Sequence, residues 1–428
     1  MSVLSELETG LLNGGFSDEL ARVYAQGEEI QRQRKRLARV LRFYARLYGD
    51  DGDVRLFSAP GRTELSGNHT DHNHGRVLAA SINLDAAAAA APNGENIVRV
   101  ESEGFAMDTV DIDELDSKPE ETGKHKALVR GVCAGFKQRG YRIGGFNAAT
   151  ASDVIVGSGL SSSAAFEVLL ATILNHLYND GKVGAVEIAQ IAQFAENSYF
   201  GKPCGLMDQT ASSVGGFVYI DFQNPSEPQI EKIRFDFASC GYALCIVDTG
   251  GSHSGLTEEY AAVRGEMEAV AAELGEKVLR DVDPDVFVRH IPGLRGKTGD
   301  RAVLRAFHFY RENERVAAQA RELKKGNFEG FLTAANLSGR SSFMYNQNVY
   351  TCANPQSQPV SLALCLSDEL LRGQGAFRVH GGGFAGTIQA FVPLSLLEEY
   401  KACMNTVFGS DSCRVLSVRE AGGVQVVS

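Results

Sequence analysis

The sequence of 428 residues contains no tryptophan, no Cys-x-x-Cys pair and no apolar run long enough to cross a bilayer. Its eight cysteines are scattered, which is typical of reduced thiols and not of a disulfide or zinc framework. The first fifteen residues lack the basic start and apolar core of a signal peptide. We therefore expect a cytoplasmic protein without a membrane partner.

Positive charge is also scarce. The chain has 42 Lys and Arg against 53 Asp and Glu, a formal net charge of −11, which argues against nucleic acid as a partner. An anionic substrate would need a locally built positive site, and the basic run 32–36 is expected to be a solvated face of a helix over 19–48 that begins at a Ser17-Asp18 cap. The length predicts two lobes, and strands and helices that mix without strict β-α-β alternation indicate an α+β fold.

Residues 157–165, Gly-Ser-Gly-Leu-Ser-Ser-Ser-Ala-Ala, predict a phosphate-binding loop between a strand over 145–156 and a helix over 164–178. Glycine lets the backbone approach a ligand, and successive N–H groups at a helix start form a partly positive cradle. The serine hydroxyls can bind phosphate or complete a Mg²⁺ shell. The alternative is a serine-rich helix cap, since neither the Walker pattern nor a full dinucleotide fingerprint is present.

Residues 61–75 are dense in side chains that bind polar ligands. Sugar hydroxyls donate and accept, so carboxylates, amides and imidazoles from one loop suit a carbohydrate pocket. The order His69-Thr-Asp71-His72-Asn-His74 does not reproduce the His-x-His-x-Asp-His of metal hydrolases, so metal-dependent hydrolysis is the less favoured alternative. Many of these residues could also serve turns.

Asp208 lies in the segment 201–210, after a helix expected over 186–199. Such a carboxylate is often a helix cap, but held ionised by a cation it could take a hydroxyl proton. Arg62 is the candidate cation because a guanidinium is always charged and can contact carboxylate and phosphate together.

The segment 380–386, His-Gly-Gly-Gly-Phe-Ala-Gly, is similar to the oxyanion loop of lipases. No Gly-x-Ser-x-Gly elbow accompanies it, so an esterase is not expected. A loop beside bound phosphates or a tight strand turn remains.

Taken in order, the segments 61–75, 201–210 and 380–386 resemble the motifs of the GHMP small-molecule kinase family, and the first two of them resemble those of its galactokinase members. Gly61-Arg-Thr-Glu-Leu-Ser-Gly-Asn-His-Thr-Asp-His-Asn73 is similar to Gly-Arg-x-Asn-Leu-Ile-Gly-Glu-His-Thr-Asp-Tyr-Asn, and Pro203-Cys-Gly-Leu-Met-Asp-Gln209 to Pro-Cys-Gly-Ile-Met-Asp-Gln. Glu258-Glu-Tyr-Ala-Ala-Val-Arg264 is similar to Ser-Glu-Tyr-Pro-Val-Arg. The resemblance runs from about Leu37 to Val427.

The resemblance implies a two-lobed α+β fold with mixed sheets and an active site in the cleft between the lobes. A helical extension over 1–50 would precede an N-terminal lobe over 51–225 and a C-terminal lobe over 226–428. It further implies a monomeric sugar 1-kinase that uses ATP and Mg²⁺ and makes an α-sugar 1-phosphate, with a small-molecule sugar and MgATP as its partners.

The resemblance also implies roles for matching positions. Asp208 would be the base for the anomeric hydroxyl, with Arg62 beside it. The metal would lie near Ser163 (or Ser162) and Glu196. The sugar would be lined by Asn68, His69, Asp71, Gly205 and Tyr260. The phosphates would be held by Gly157, Ser158, Gly159, Leu160, Ser161, Ser162, Ser163 and Ala164.

Departures from the motif keep two alternatives open. Asn68 replaces the Glu near the sugar's C6 hydroxyl and His72 replaces a Tyr, so galacturonate is an alternative substrate to galactose. His125 stands where galactokinases place an aromatic residue near the adenine. A catalytically silent sugar sensor is the other alternative, but such sensors lack part of the Ser161–Ala164 stretch that is complete here.

Overall fold

The computed structural model of this chain describes residues 2–24, 27–155, 159–251 and 255–427. It contains two compact units. Unit 1 comprises Met1–Thr63, Ala80–Gly216 and Arg419–Ser428, and unit 2 comprises Glu64–Ala79 and Phe217–Val418. This division is not the linear one expected from the sequence, because the chain leaves unit 1 for residues 64–79 and returns to it for its last ten residues.

Helices and strands are numbered in chain order. The α-helices of the described residues are α1 (Val3–Leu12), α2 (Ser17–Ala21), α3 (Glu28–Tyr48), α4 (His125–Gln138), α5 (Ser162–Tyr178), α6 (Ala185–Ala195), α7 (Met207–Val214), α8 (Thr257–Glu273), α9 (Pro284–Thr298), α10 (Asp300–Lys324), α11 (Phe328–Ser341), α12 (Pro359–Leu371) and α13 (Leu397–Phe408). The strands are β1 (Arg55–Ser66), β2 (Arg76–Pro92), β3 (Ile97–Ser102), β4 (Asp108–Asp111), β5 (Phe146–Ser152), β6 (Phe217–Asp221), β7 (Gln229–Ile233), β8 (Tyr242–Asp248), β9 (Ala376–Val379), β10 (Thr387–Pro393), β11 (Cys413–Leu416) and β12 (Val424–Val427). No helix among these is both long and apolar enough to cross a membrane.

Unit 1 is built on a mixed sheet in the order β12-β1-β2-β5-β3-β4. Strands β3 and β5 run parallel, while β2 and β5 run antiparallel with Ala87 opposite Ala151 and Ala89 opposite Ala149. These alanines face the core that the sheet shares with α1–α3. Because an alanine side chain ends at Cβ, α3 can pack closely on the strands, and the N-terminal helices are part of the unit 1 core.

Unit 2 contains a four-stranded antiparallel sheet in the order β11-β8-β10-β9. One hydrophobic core lies between this sheet and helices α12 and α13. A second core lies among α8, α9 and α10. A mixed sheet in one unit and a helix-flanked antiparallel sheet in the other confirm the predicted α+β class.

Several local predictions were wrong. The helix expected over 19–48 is two helices, and the residue before α2 is Phe16 in a left-handed conformation, while the Ser17 hydroxyl donates to the Gly14 carbonyl at 3.1 Å instead of capping. Within the basic run, Gln33, Arg34 and Arg36 are buried and not solvated. The helix expected over 186–199 ends at Ala195 and continues as a π-helical turn, Glu196–Phe200.

A buried ionic network explains the burial of Arg36. Asp85 on β2 contacts the guanidinium groups of Arg36 and Arg419 and the hydroxyls of Ser58 and Tyr24, with 3.0 Å to Arg419 and 2.8 Å to Tyr24. Burial opposes ionisation, but the two guanidinium charges outweigh it and lower the pKa of Asp85 to about 2. This carboxylate therefore joins the N-terminal helices and the C-terminal segment to the sheet.

Replacing Asp85 by asparagine should cost about 3–5 kcal/mol of unfolding free energy, because two buried guanidinium groups lose the carboxylate that they share. Urea unfolding followed by circular dichroism measures this loss. The control is Asp180→Asn, which removes an exposed carboxylate paired with Lys182 at 3.1 Å and should change the stability little. Equal losses for both variants would contradict a structural role for the network.

Candidate active site

An ion pair between Arg62 and Asp208 lies in unit 1 at the junction of β1 and α7. Arg62 Nε donates to Asp208 Oδ1 and Nη2 donates to Oδ2, each at 2.7 Å. Burial raises the pKa of Asp208, but the Arg62 charge and its hydrogen bonds outweigh burial, and the pKa lies below its ordinary value. Asp208 is thus ionised at neutral pH. It is the second residue of α7 and makes no capping hydrogen bond, so the helix-cap alternative is wrong.

The segment 159–161 is hydrogen-bonded to both residues of this ion pair. The Gly159 carbonyl accepts from Arg62 Nη1, and the Leu160 carbonyl accepts from the Arg62 backbone N–H at 3.0 Å. Ser161 has φ 59° and ψ 62°, a left-handed conformation that costs a non-glycine residue on the order of 1 kcal/mol, and its hydroxyl donates to Asp208 Oδ2. The serine-cap alternative is therefore wrong for Ser161.

Ser163 and Glu196 are in contact, as a shared metal site would require. Glu196 begins the π-helical turn after α6 and is only 2% exposed. Its Oε1 accepts from Ser163 Oγ at 3.1 Å and from Lys202 Nζ at 3.0 Å, and its Oε2 accepts from Gln209 Nε2 at 2.8 Å. A hydroxyl and a carboxylate oxygen are hard ligands of the type that Mg²⁺ prefers.

A cavity of about 590 Å³ in unit 1 connects these groups with an aromatic wall. Arg62, Asp208 and residues 161–163 line one part of it. The rings of Phe105, His125 and Phe166 line another part, with His125 lying 5.1 Å and 5.5 Å from its two neighbours between ring centroids. A flat ring could lie against this wall while attached phosphates reach the loop.

The C-terminal part of the polar segment 61–75, called here the sugar motif, contacts the glycine-rich segment 380–386 within unit 2. Residues 380–386 form the turn between β9 and β10, and three consecutive carbonyls of this turn bind side chains from elsewhere in the unit. The Asn68 amide donates to the Gly381 carbonyl, His69 Nε2 lies 2.8 Å from the Gly382 oxygen, and the Tyr260 hydroxyl donates to the Gly383 carbonyl at 2.9 Å. The tight-turn alternative thus describes this segment within unit 2.

The positions of the remaining candidate residues say little about their roles. Asp71 begins a short 3-10 turn, and Gly205 lies exposed just before α7. In the described residues, no group of three or more His, Cys, Asp or Glu side chains is arranged to hold a metal ion, so His69, His72 and His74 give the hydrolase alternative no support. Leu160 and Ala164 are buried at the start of α5, and Ser162 is its first residue. Gly157 and Ser158 lie outside the described residues.

Comparison with known proteins decides the family. Residues 127–216 match the GHMP kinases N terminal domain, and residues 42–92 match the galactokinase galactose-binding signature. Streptomyces coelicolor galactokinase is 32% identical over 386 residues, which cover 88% of this chain and 94% of the relative. The chain belongs to the galactokinase family. It is a galactokinase-like sugar kinase.

Other matches agree with the galactokinase family. Galactokinase of Actinobacillus pleuropneumoniae serotype 5b is 32% identical over 364 residues, 83% of this chain and 89% of the relative. Among solved structures, Lactococcus lactis galactokinase complexed with galactose superposes with a TM-score of 0.77 at 24% identity and covers 91% of this chain and 100% of its own. A mevalonate kinase superposes at 0.60 with 15% identity, covering 85% and 99%. These two structures share the fold.

Sequence reasoning missed a paired exchange in the galactokinase motif. Glu64 stands where the family motif has Asn, and Asn68 stands where it has Glu. In the structure Asn68 Nδ2 lies 3.3 Å from Glu64 Oε1, and Arg378 contacts the same oxygen at 3.0 Å. The Asn68 oxygen accepts from Asn348 at 2.6 Å. The exchange can be read from the sequence, but only when residues 64 and 68 are compared with the family motif at the same time.

Another residue missed from the sequence is His308 on α10, which supports the backbone of the sugar motif. Its Nε2 lies 2.8 Å from the Asn68 carbonyl oxygen and its Nδ1 lies 2.9 Å from Ser341 Oγ. Because a carbonyl only accepts, Nε2 must carry the hydrogen and Nδ1 accepts from the serine. Burial lowers the pKa of His308 to about 4, despite the opposing charge of Glu312.

The pKa of His308 predicts a pH dependence of stability. Between about pH 4 and 6.5 the unfolded chain protonates this imidazole while the folded chain does not, so the stability of unit 2 rises with pH through this window. Between pH 5 and 7 the gain should be about 2 kcal/mol. Chemical unfolding of the wild type and of His308→Gln, a neutral side chain that can still donate, should differ by this amount in their pH dependence. Parallel pH profiles would contradict the assignment.

Proposed function

We propose that this chain transfers the γ-phosphoryl group of ATP to the anomeric hydroxyl of D-galactose and releases α-D-galactose 1-phosphate and ADP. The observation that carries the proposal is the two-point ion pair between Arg62 and Asp208, next to a serine-rich loop in a cavity with an aromatic wall. The galactokinase relatives support galactose as the acceptor.

Asp208 would orient and deprotonate the acceptor hydroxyl. Its ionised state, maintained by Arg62, leaves it able to accept a proton, and the fork of the guanidinium fixes the plane of the carboxylate. Phosphoryl transfer depends mainly on positioning and charge stabilisation, so Arg62 would also offset charge that develops on the transferred group.

The loop and the start of α5 would hold the phosphates, and Ser163 and Glu196 would hold Mg²⁺. The donor set fits, because Mg²⁺ usually takes only one or two protein oxygens and keeps water and phosphate as its other ligands. When bound, the ion would neutralise part of the phosphate charge. The roles of Asn68, His69, Asp71, Gly205 and Tyr260 toward the sugar stay predictions, as do the monomeric state and the cytoplasmic location.

The contacts of Asn68 give the galacturonate alternative no support. Both hydrogens of its amide have acceptors within the unit, the Gly381 carbonyl and Glu64 Oε1. A sugar carboxylate at this place would meet the Glu64 carboxylate instead of a free donor, although Arg378 offsets part of that charge.

When the enzyme is given MgATP and a panel of hexoses and hexuronates, galactose should be the sugar that supports ADP formation. The variant Asp208→Asn should lower kcat with galactose by about 100-fold or more, because an amide keeps the shape of the carboxylate but not its basicity. Coupled ADP release measures turnover, and calorimetry measures sugar and nucleotide binding, which the variant should retain. Asp180→Asn serves as the matched surface control. Sugar binding without ADP release from the wild type would favour the sensor alternative, and near-normal kcat in the variant would exclude Asp208 as the base.

Ser163→Ala should raise the Mg²⁺ concentration needed for half-maximal activity and weaken MgATP use, while galactose binding changes little, because one oxygen ligand of a hard cation is lost. Steady-state kinetics at varied Mg²⁺ measure this effect. Ser162→Ala, one residue earlier, is the matched comparison. A loss of about 1 kcal/mol in stability with an unchanged Mg²⁺ requirement would indicate a capping serine instead.

A further inference from the structure

Lys202 is a second cation in the unit 1 cavity, and it lies just before the galactokinase-like segment Pro203–Gln209. It lies in the turn between the π-helical segment and α7 and lines the same cavity as Arg62 and Asp208. Its side chain is 61% exposed, so its four-carbon stem can change direction without disturbing a packed core. In this structure its ammonium group contacts Glu196 Oε1 at 3.0 Å.

Glu196 Oε1 is the carboxylate oxygen that faces Ser163, the other residue of the proposed metal site. It already accepts from Ser163 Oγ at 3.1 Å and from Lys202, so both of its lone pairs are occupied. An ammonium group and a divalent cation on one carboxylate oxygen repel each other. The Ser163 hydroxyl can turn to offer its oxygen to a metal, but Lys202 can only donate and has to find another anion.

Among the described residues that line the cavity, the other carboxylates already have partners, and Glu103 pairs with Arg39 at 3.1 Å. Both oxygens of Asp208 already accept from Arg62, and Oδ2 also accepts from Ser161. The remaining anion expected within reach is the phosphate chain of a nucleotide that rests on the adjacent loop. An ammonium group is a point charge with three donors and binds phosphate without a fixed orientation.

We propose that Lys202 contacts the terminal phosphates of the bound nucleotide. When a divalent cation binds Glu196, the Lys202 ammonium group leaves Glu196 and binds these phosphates instead. This inference rests on the proposed kinase function. Lys202 and Arg62 would then approach the phosphate chain from two different segments of unit 1.

A simpler role makes the opposite prediction. If Lys202 only neutralised Glu196, it would compete with the metal, and its removal would lower the Mg²⁺ requirement without weakening MgATP binding. If Lys202 contacts phosphate, its removal weakens binding of nucleotides with terminal phosphates even when Mg²⁺ is saturating.

The test is equilibrium binding of ATP, ADP and AMP to Lys202→Met at saturating Mg²⁺, measured by calorimetry without sugar. We expect about tenfold weaker binding of ATP and ADP, the size of one charge-assisted hydrogen bond, with AMP unchanged and with Lys202→Arg restoring most of the affinity. The matched control is Lys182→Met, which removes an exposed lysine paired with Asp180 outside the cavity. A thermal melt verifies folding, and Lys202→Gln replaces the Met variant if that variant does not fold.

Unchanged or tighter MgATP binding by Lys202→Met would overturn the inference and leave the neutralising role. Equal weakening of AMP would also overturn it, because the lysine would then act on the whole nucleotide and not on its terminal phosphates. Failure of the wild type itself to bind MgATP would instead contradict the proposed function.

Discussion

The ion pair between Arg62 and Asp208 is the interaction on which the unit 1 site depends. It joins three segments that are far apart in sequence: the strand that carries Arg62, the loop whose Gly159 carbonyl accepts from the same guanidinium, and the helix that begins at Met207. Loss of either partner would leave an uncompensated charge at the wall of the cavity, which is costly when the group is buried as Arg62 is. The pair thereby orients a carboxylate and fixes the loop beside it with the same set of hydrogen bonds.

Two carboxylates near this site, Asp208 and Glu167, have pKa values shifted in opposite directions because their surroundings differ. Asp208 faces Arg62, and its pKa is lowered. Glu167 is fully buried, and burial together with the charge of Glu196 raises its pKa well above the ordinary value. Gln209 donates to both glutamates, at 3.2 Å to Glu167 and 2.8 Å to Glu196. The carboxylate suited to accept a proton is therefore Asp208, while Glu167 holds its proton to higher pH than an ordinary carboxyl group.

Helices and strands with a long, regular pattern of apolar residues could be predicted from the sequence. Features that depend on residues far away in the sequence could not. The strand before the phosphate loop and the helix after it were anticipated within a few residues, because their apolar patterns are local. Helix α7 has only eight residues and is separated from Pro203-Cys-Gly only by Leu206, so its apolar pattern is too short to show a helical period. Ser161 adopts its left-handed conformation beside Asp208, 47 residues away, and within the basic run Arg36 is buried against Asp85, 49 residues away. The candidate site was found from motif chemistry, but the exchange of Glu64 and Asn68 acquires meaning only when the two side chains are seen in contact.

The charges that line the cavity agree with the divalent cation that we propose for the reaction. Arg62 is committed to Asp208 and Lys202 to Glu196, and Glu103, which also lines the cavity, pairs with Arg39 at 3.1 Å. These pairs leave the wall close to neutral, and the start of α5 adds only a partial positive charge. A triphosphate carries several negative charges, so a wall of this kind does not balance it with protein groups alone. A cation on Ser163 and Glu196 would add positive charge and, by taking over Glu196, release the charge of Lys202 as well. Two positive groups would become available to the phosphates through a single binding event.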